Sequence, residues 1–126
     1  MPEPFRLFVY GHLRRGQSGC RLLELEQRTE WLGEAQVRGR LYDLGDYPGL
    51  VLGSNDIVQG ELIAFDDPAL WTALDAYEDC DPDDPDTSEY RRIEIDLPGG
   101  DRAWTYVYNR PVESLDPIAS GAWQGV

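Results

Sequence analysis

FRLFVYGHLRRG, residues Phe5 to Gly16, is the stretch whose reading decides the fold. Phe5, Leu7 and Val9 alternate with Arg6, Phe8 and Tyr10, the period-two pattern of a strand rich in aromatic and branched residues. The pattern stops at Gly11, His12 and Leu13, and a glycine-punctuated loop then carries Arg14, Arg15 and Gly16. A buried strand that halts at glycine exposes successive backbone N–H groups with nothing to pair with them, and such groups cradle a carboxylate or an oxyanion. Most glycines after a strand simply make a turn. The loop therefore needs a second feature to agree with it.

That feature lies on the best-signed helix of the chain. Asp66 or Asp67 can cap it, Pro68 fits its first position, where a missing N–H costs nothing, and it runs to about Glu78 or Asp79. Leu70, Trp71, Leu74 and Tyr77 form its apolar stripe, and the step from Trp71 to Leu74 to Glu78 puts a carboxylate on that same stripe. A carboxyl held against apolar side chains has its charged form disfavoured, so its pKa rises toward neutrality, which suits a general base or proton shuttle. Spacing alone favours the alternative, in which Glu78 turns outward to water or pairs with an arginine such as Arg91. Asp75 and Asp79 lie off the stripe and are expected in solvent.

Around these two features the chain reads as one domain over residues 1–126, mixed α and β and mostly antiparallel. Ser18 can cap a short helix over Gly19 to Arg28. Ala35 to Leu44 alternates as a strand, Gly45 to Gly49 is a proline-fixed turn, and Leu50 to Leu52 with Ile57 to Phe65 read as a hairpin about Gly53 to Asp56. Cys80 to Glu89 breaks the long helix with two prolines and reads as a solvated acidic turn, lacking the bend glycine and terminal glutamate of a calcium loop. Tyr90 to Leu97 and Arg102 to Tyr108 are strands joined at PGGD, and from Asn109 the tail reads as an extended wrap anchored by Ile118 and Trp123. Trp31, Trp71, Trp104 and Trp123 are expected in the core.

The 126 residues include 24 acids against 11 basic residues, a formal charge of −13. That balance argues against non-specific nucleic-acid binding, which needs basic surface. No apolar run is long enough to span a membrane and no basic-then-apolar leader opens the chain, so a cytoplasmic location is expected. Cys20 and Cys80 sit in no metal-binding spacing; in a reducing cytosol two free thiols are expected, although a bridge is compatible with the sequence. His12 is the single histidine. No metal or cofactor site is evident.

Read together, these residues carry a family resemblance. Tyr10-Gly11-His12-Leu13-Arg14-Arg15-Gly16 resembles the YG(S/T)L signature of γ-glutamylcyclotransferase-like proteins of the small AIG2-like and YtfP-like bacterial branch. Tyr47-Pro48-Gly49 resembles the family's YPG turn, Gly60-Glu61-Leu62 its GE-containing strand, and Leu74 to Glu78 its LDxxE segment. Tyr90-Arg91-Arg92 is similar to its YxR, and Ser120-Gly121-Ala122-Trp123 to its terminal SGxW. Each piece is short, but together they come in family order over nearly the whole chain. The resemblance implies a small, mixed, mostly antiparallel β-barrel-like α+β fold with flanking helices. It implies substrate binding by Tyr10, Gly11, His12 and Leu13, a pocket-lining Tyr90, and proton transfer by Glu78. It also implies release of 5-oxoproline and a free amine from a small γ-glutamyl amide, without a cofactor.

Two departures from the family pattern bear on this. His12 stands where Ser or Thr is usual, and Asp79 replaces a common glycine, where its charge is expected to raise the Glu78 pKa or disturb the helix end. The leaving amine stays open among an amino acid, a polyamine-like amine, a lysine side chain and a biosynthetic intermediate, and so does the oligomeric state. A non-catalytic binding module that keeps the pocket is the main alternative; a scaffold or toxin-like role for the acidic loop ranks last.

Overall fold

The computed structural model describes residues 4–123, and β1 (Phe5–Val9) lies at the middle of its main sheet. The strand is buried on both faces. Leu7 and Val9 enter one apolar cluster, with Leu70 and Leu74, while Phe8 enters a second, with Val37, Leu41 and Leu50. Both residue sets of a period-two pattern are therefore inside, which is why the stretch carries so few charges. Removing each fully buried leucine from water contributes about 2 kcal/mol.

The other elements are α1 (Ser18–Leu22), α2 (Leu25–Arg28), β2 (Glu30–Arg38), β3 (Arg40–Asp43), β4 (Pro48–Val51), β5 (Ile57–Phe65), α3 (Leu70–Tyr77), β6 (Tyr90–Asp96), β7 (Arg102–Tyr108) and β8 (Asp116–Pro117). The five-stranded sheet has the order β2-β5-β1-β7-β6; β1 runs parallel to β7 and the other pairs are antiparallel. A three-stranded sheet, β4-β3-β8, closes over the second cluster through Leu41 and Leu50, while Cys20, Leu25, Leu70 and Leu74 of the helices cover the first. The mixed, mostly antiparallel α+β class expected from the sequence is the class observed.

Several local expectations are corrected. The helix expected over Gly19 to Arg28 is two short helices, broken where Glu24 takes a left-handed φ of 54°. The second strand begins at Glu30, five residues before Ala35, and the run to Leu44 is cut at Gly39, where pairing passes from one sheet to the other. Leu50–Leu52 and Ile57–Phe65 form no hairpin: β4 pairs with β3, and β5 pairs with β1 and β2. Period-two alternation marks strands but carries no information on which strand is the neighbour. Trp31 is 43% exposed, on edge strand β2 beneath the Arg15 guanidinium, not in the core. The tail expectation holds: Ile118 donates its N–H to Leu41 and packs on the second cluster, and Trp123 is buried. Cys20 and Cys80 are free thiols, and the acidic loop is exposed from Asp81 to Thr87. Among the described residues no helix is long and apolar enough to cross a membrane.

The end of α3 explains residue 79. Cys80 N–H donates to Asp75 O at 2.9 Å and Asp79 N–H to Ala76 O at 3.3 Å, the paired bonds of a Schellman cap, with Asp79 at φ 51°. That conformation is natural for glycine and strained for most L-residues, with aspartate among the better tolerated. Asp79 therefore keeps the helix end intact. Its ion pair with Arg110, 4.0 Å long between exposed side chains, contributes little. Asp79→Gly is expected to raise unfolding free energy by about 0.5–1 kcal/mol in urea titration. A loss of stability would show that the ion pair outweighs the backbone strain.

Candidate active site

Strand β1 delivers Tyr10 and the loop after it to the wall of a cavity of about 180 Å³. Tyr10, Gly11, His12, Leu13, Glu78 and Tyr90, the six residues singled out from the sequence, all line it. Gly11 sits at a close approach: a Cβ there would stand 3.0 Å from the Pro48 ring, so the ring would have to give way. Gly19 serves the same loop from beneath: a Cβ on it would meet the Tyr77 hydroxyl at 2.6 Å and His12 O at 2.9 Å. The short helix α1 can thus press against the loop, and Cys20 N–H donates to His12 O at 3.0 Å. Gly11 O accepts from Arg14 N–H at 3.2 Å and from Arg14 Nε at 3.1 Å. A trans peptide points its carbonyl and its N–H in opposite directions. With the Gly11 and His12 carbonyls turned to these protein donors, the His12 and Leu13 N–H groups face away from them.

Glu78 follows α3 as its C-cap residue. Protein surrounds its side chain on nearly every side, and the carboxyl edge opens onto the cavity, which leaves the residue as a whole half-buried. Burial first, and the field of Glu89 second, push its pKa from the usual 4.5 up to about 8. No arginine reaches it among the described residues: Arg91 is exposed, and Arg92 is engaged elsewhere. The second charge acting on Glu78 belongs to Glu89, ten residues beyond the expected Asp79.

Asp75 is buried, contrary to the solvent position expected for it. It accepts from the Tyr106 hydroxyl at 2.7 Å and from Arg92 NH1 at 3.1 and 3.2 Å, and Arg92 in turn lies 4.2 Å over the Trp71 ring. The helical stripe faces α3's own cluster, but β6 and β7 wrap far enough to enclose the flank where Asp75 sits. This network pins the last turn of α3 one turn before Glu78.

Tyr90 lines the cavity, but its hydroxyl is committed to Pro48 O at 2.7 Å. Tyr10 is tied likewise, donating to Tyr106 O at 2.5 Å and accepting from Leu50 N–H at 3.3 Å. Burial drives the pKa of both tyrosines well up, so they remain neutral donors: Tyr90 holds Pro48 to the wall, and Tyr10 ties the end of β1 to β7 and β4. The sequence reading missed Tyr47, Pro48, Tyr77, Glu89 and Tyr106 as wall residues. Tyr47 and Pro48 had a signal, the YPG turn; Glu89, at the end of an acidic run, had none. Among the described residues no group of three or more His, Cys, Asp or Glu is placed to hold a metal ion.

The family model described as "Gamma-glutamyl cyclotransferase, AIG2-like" matches residues 7–125. The chain belongs to that family. The gamma-glutamylcyclotransferase family protein YtfP of Escherichia coli K12 is 39% identical over 125 residues, covering 94% of this chain and 95% of the relative. A putative gamma-glutamylcyclotransferase of Vibrio cholerae is 40% identical, with 93% of each chain covered. The solution structure of Escherichia coli ytfP superposes with a TM-score of 0.68 at 37% identity, covering 95% of this chain and 96% of that one. A mouse AIG2-like protein shares the fold at a TM-score of 0.76 and 20% identity, with 98% of this chain and 90% of that one covered. In this member of the AIG2-like family, the first strand, its loop and the end of α3 thus converge on one cavity.

Proposed function

We propose that this AIG2-like chain, acting as one domain over residues 1–126, is a cyclotransferase that releases 5-oxoproline and a free amine from a small γ-glutamyl amide in the cytoplasm. The observation that carries this reading is the Glu78 carboxyl, without an ion-pair partner among the described residues, at the wall of a cavity it shares with the Gly11–Leu13 backbone. A γ-glutamyl amide contains its own nucleophile. Its α-amino group can close a five-membered ring on the γ-carbonyl once the chain is folded into the attacking conformer, a gain in proximity worth several kcal/mol.

Glu78 takes the proton that the α-ammonium must lose and later returns it to the departing amine. A pKa of about 8 lies far nearer that of an α-ammonium than the usual 4.5 of a carboxyl does, so the proton transfer from substrate to Glu78 is less uphill. The His12 and Leu13 N–H groups supply donors for the α-carboxylate or for the oxygen of the carbonyl under attack, with Tyr10 and Tyr90 keeping the walls in place. The bond from the α-nitrogen to the γ-carbonyl carbon (Cδ) forms and the bond from that carbon to the amine nitrogen breaks. The two protons that the α-ammonium sheds on becoming a lactam N–H are relayed in turn by Glu78 and leave with the amine as its ammonium.

The test is 5-oxoproline release from a panel of γ-glutamyl amides by the wild-type protein beside Glu78→Gln. Release that depends on Glu78 is expected from at least one amide. Undiminished release by the variant toward every amide turned over would remove Glu78 from the chemistry. Binding of the panel without any release would favour the non-catalytic module, the reading that the substitution of His12 for Ser or Thr suggests. Because kcat/KM follows ionised Glu78, it is expected to climb as pH rises from 6 and to level off above about 8, the pKa of that carboxyl.

A further inference from the structure

One wall residue acts on this chemistry only through its field on Glu78, with no contact to substrate yet assigned to it. Glu89 stands where the acidic loop enters β6, and its backbone is tied on both sides: its N–H donates to Asp79 O at 3.0 Å and its carbonyl accepts from Asn109 N–H at 2.8 Å. Its side chain lines the cavity and is held there by the Tyr47 hydroxyl, which donates to Oε2 at 2.6 Å. That bond is strong enough, with partial burial, to push Tyr47 up to about 12. Oε1 has no hydrogen-bond partner among the described residues. Beside it the Tyr47 and Tyr90 rings stand 6.4 Å apart, tilted 52° to one another, and both line the cavity.

The charges along the wall are one-sided. Two carboxyl groups line the cavity and none of the arginines does. Arg14 turns its guanidinium to Gly11 O and Trp123 O, and Arg110, whose field reaches Tyr47, is paired with Asp79. The glutamyl half of the substrate is a zwitterion and brings no net charge. With Glu78 serving its α-ammonium, Glu89 is left as an uncompensated anion facing the other half of the molecule. A preformed carboxylate beside tyrosine rings is the arrangement that binds an ammonium or guanidinium group, and a second carboxylate there would meet repulsion.

We propose that Glu89, held by Tyr47, is a cation subsite that selects γ-glutamyl amides whose amine half carries a second, protonated amino group and no carboxylate, as in the amide of a diamine. This rests on the cyclotransferase reading for turnover, but not for binding. The test compares three amides of equal length, those of 1,4-diaminobutane, butylamine and 4-aminobutyrate. The quantity read is the ratio of kcat/KM values at one pH, in which the protonation state of Glu78 cancels. The wild-type ratio of diamine to butyl amide is expected to be about tenfold or more, with the aminobutyrate amide slowest. In Glu89→Gln the ratio falls to near one, and in Tyr47→Phe, which keeps the carboxylate but loosens it, to an intermediate value. Glu89→Arg is expected to invert the order in favour of the aminobutyrate amide.

Equal rates for diamine and butyl amides in the wild type would overturn the subsite while leaving the cyclotransferase reading standing. If no amide is turned over, that reading fails, and the same three amides are titrated by calorimetry. Diamine-selective binding lost in Glu89→Gln would still establish the subsite, and unselective or absent binding would overturn it. Far-UV circular dichroism of each variant shows that the change is not one of folding.

Discussion

Glu78→Gln is expected to lower 5-oxoproline release by about 10³-fold while making the protein more stable above pH 8. The first half follows from the removal of the only proton carrier assigned to the reaction. Gln keeps the size and the polarity of the side chain, so substrate affinity should change far less than turnover. The second half follows from the sign of the pKa shift. Burial raises the carboxyl from 4.5 to about 8 in the folded state. Below pH 4.5 the group is neutral in both states and costs nothing. Between 4.5 and 8 the unfolded chain releases its proton and the folded chain holds it, so stability falls steadily as pH rises. Above 8 the folded protein carries an ionised, unpaired carboxylate and the full cost is present. One pKa unit corresponds to about 1.4 kcal/mol, which, discounted for water reaching the cavity, leaves a cost on the order of 3 kcal/mol. Urea unfolding of the two proteins at pH 5 and pH 8.5 measures it: the gain in Glu78→Gln should be small at the lower pH and about 2–3 kcal/mol larger at the higher one. Equal gains at both would mean that Glu78 is solvated, and the assignment of its role would fall with that result. A catalytic group that destabilises its own fold is the expected signature of a site arranged for chemistry.

Arg92→Leu carries the largest expected loss of stability. It leaves Asp75 charged, with its side chain only 12% exposed and the Tyr106 hydroxyl as its remaining partner, and it removes a guanidinium stacked on Trp71. Breaking a buried pair by deleting one member costs about 3–5 kcal/mol. Replacing both members with apolar side chains removes the stranded charge, so Asp75→Leu/Arg92→Leu is expected to recover most of that cost. A coupling energy above about 2 kcal/mol in the double-mutant cycle would confirm the pair, and additive effects would show that the two side chains act independently. Because this network pins the last turn of α3, Arg92→Leu should also blur the position of Glu78. Release of 5-oxoproline per folded molecule is expected to fall about tenfold, in keeping with the sensitivity of such reactions to small displacements. The double variant would show whether packing alone restores it.

What the amino-acid sequence determined by itself is everything encoded within one element. Phe5 to Val9 alternates with period two and is apolar but for Arg6, which marks a buried strand, and the glycine after Tyr10 marks where that strand ends. The spacing of Trp71, Leu74 and Glu78 puts the carboxyl on the apolar stripe, because a helix repeats every 3.6 residues wherever it is placed. Spacing alone favours an outward turn, and it was the tertiary structure that set Glu78 in the cavity wall. Only the tertiary structure decided which strands are neighbours, that Asp75 is enclosed by β6 and β7, that Trp31 lies on an edge, and that Tyr47 and Glu89 meet across the cavity mouth. Tyr47 and Glu89 are 42 residues apart, and Asp75 and Tyr106 are 31 apart. Periodicity is a property of consecutive residues, whereas these contacts depend on register between elements that share no local pattern. A lone carboxylate in an acidic run looks like solvent-facing charge until the sheet brings a tyrosine hydroxyl to it.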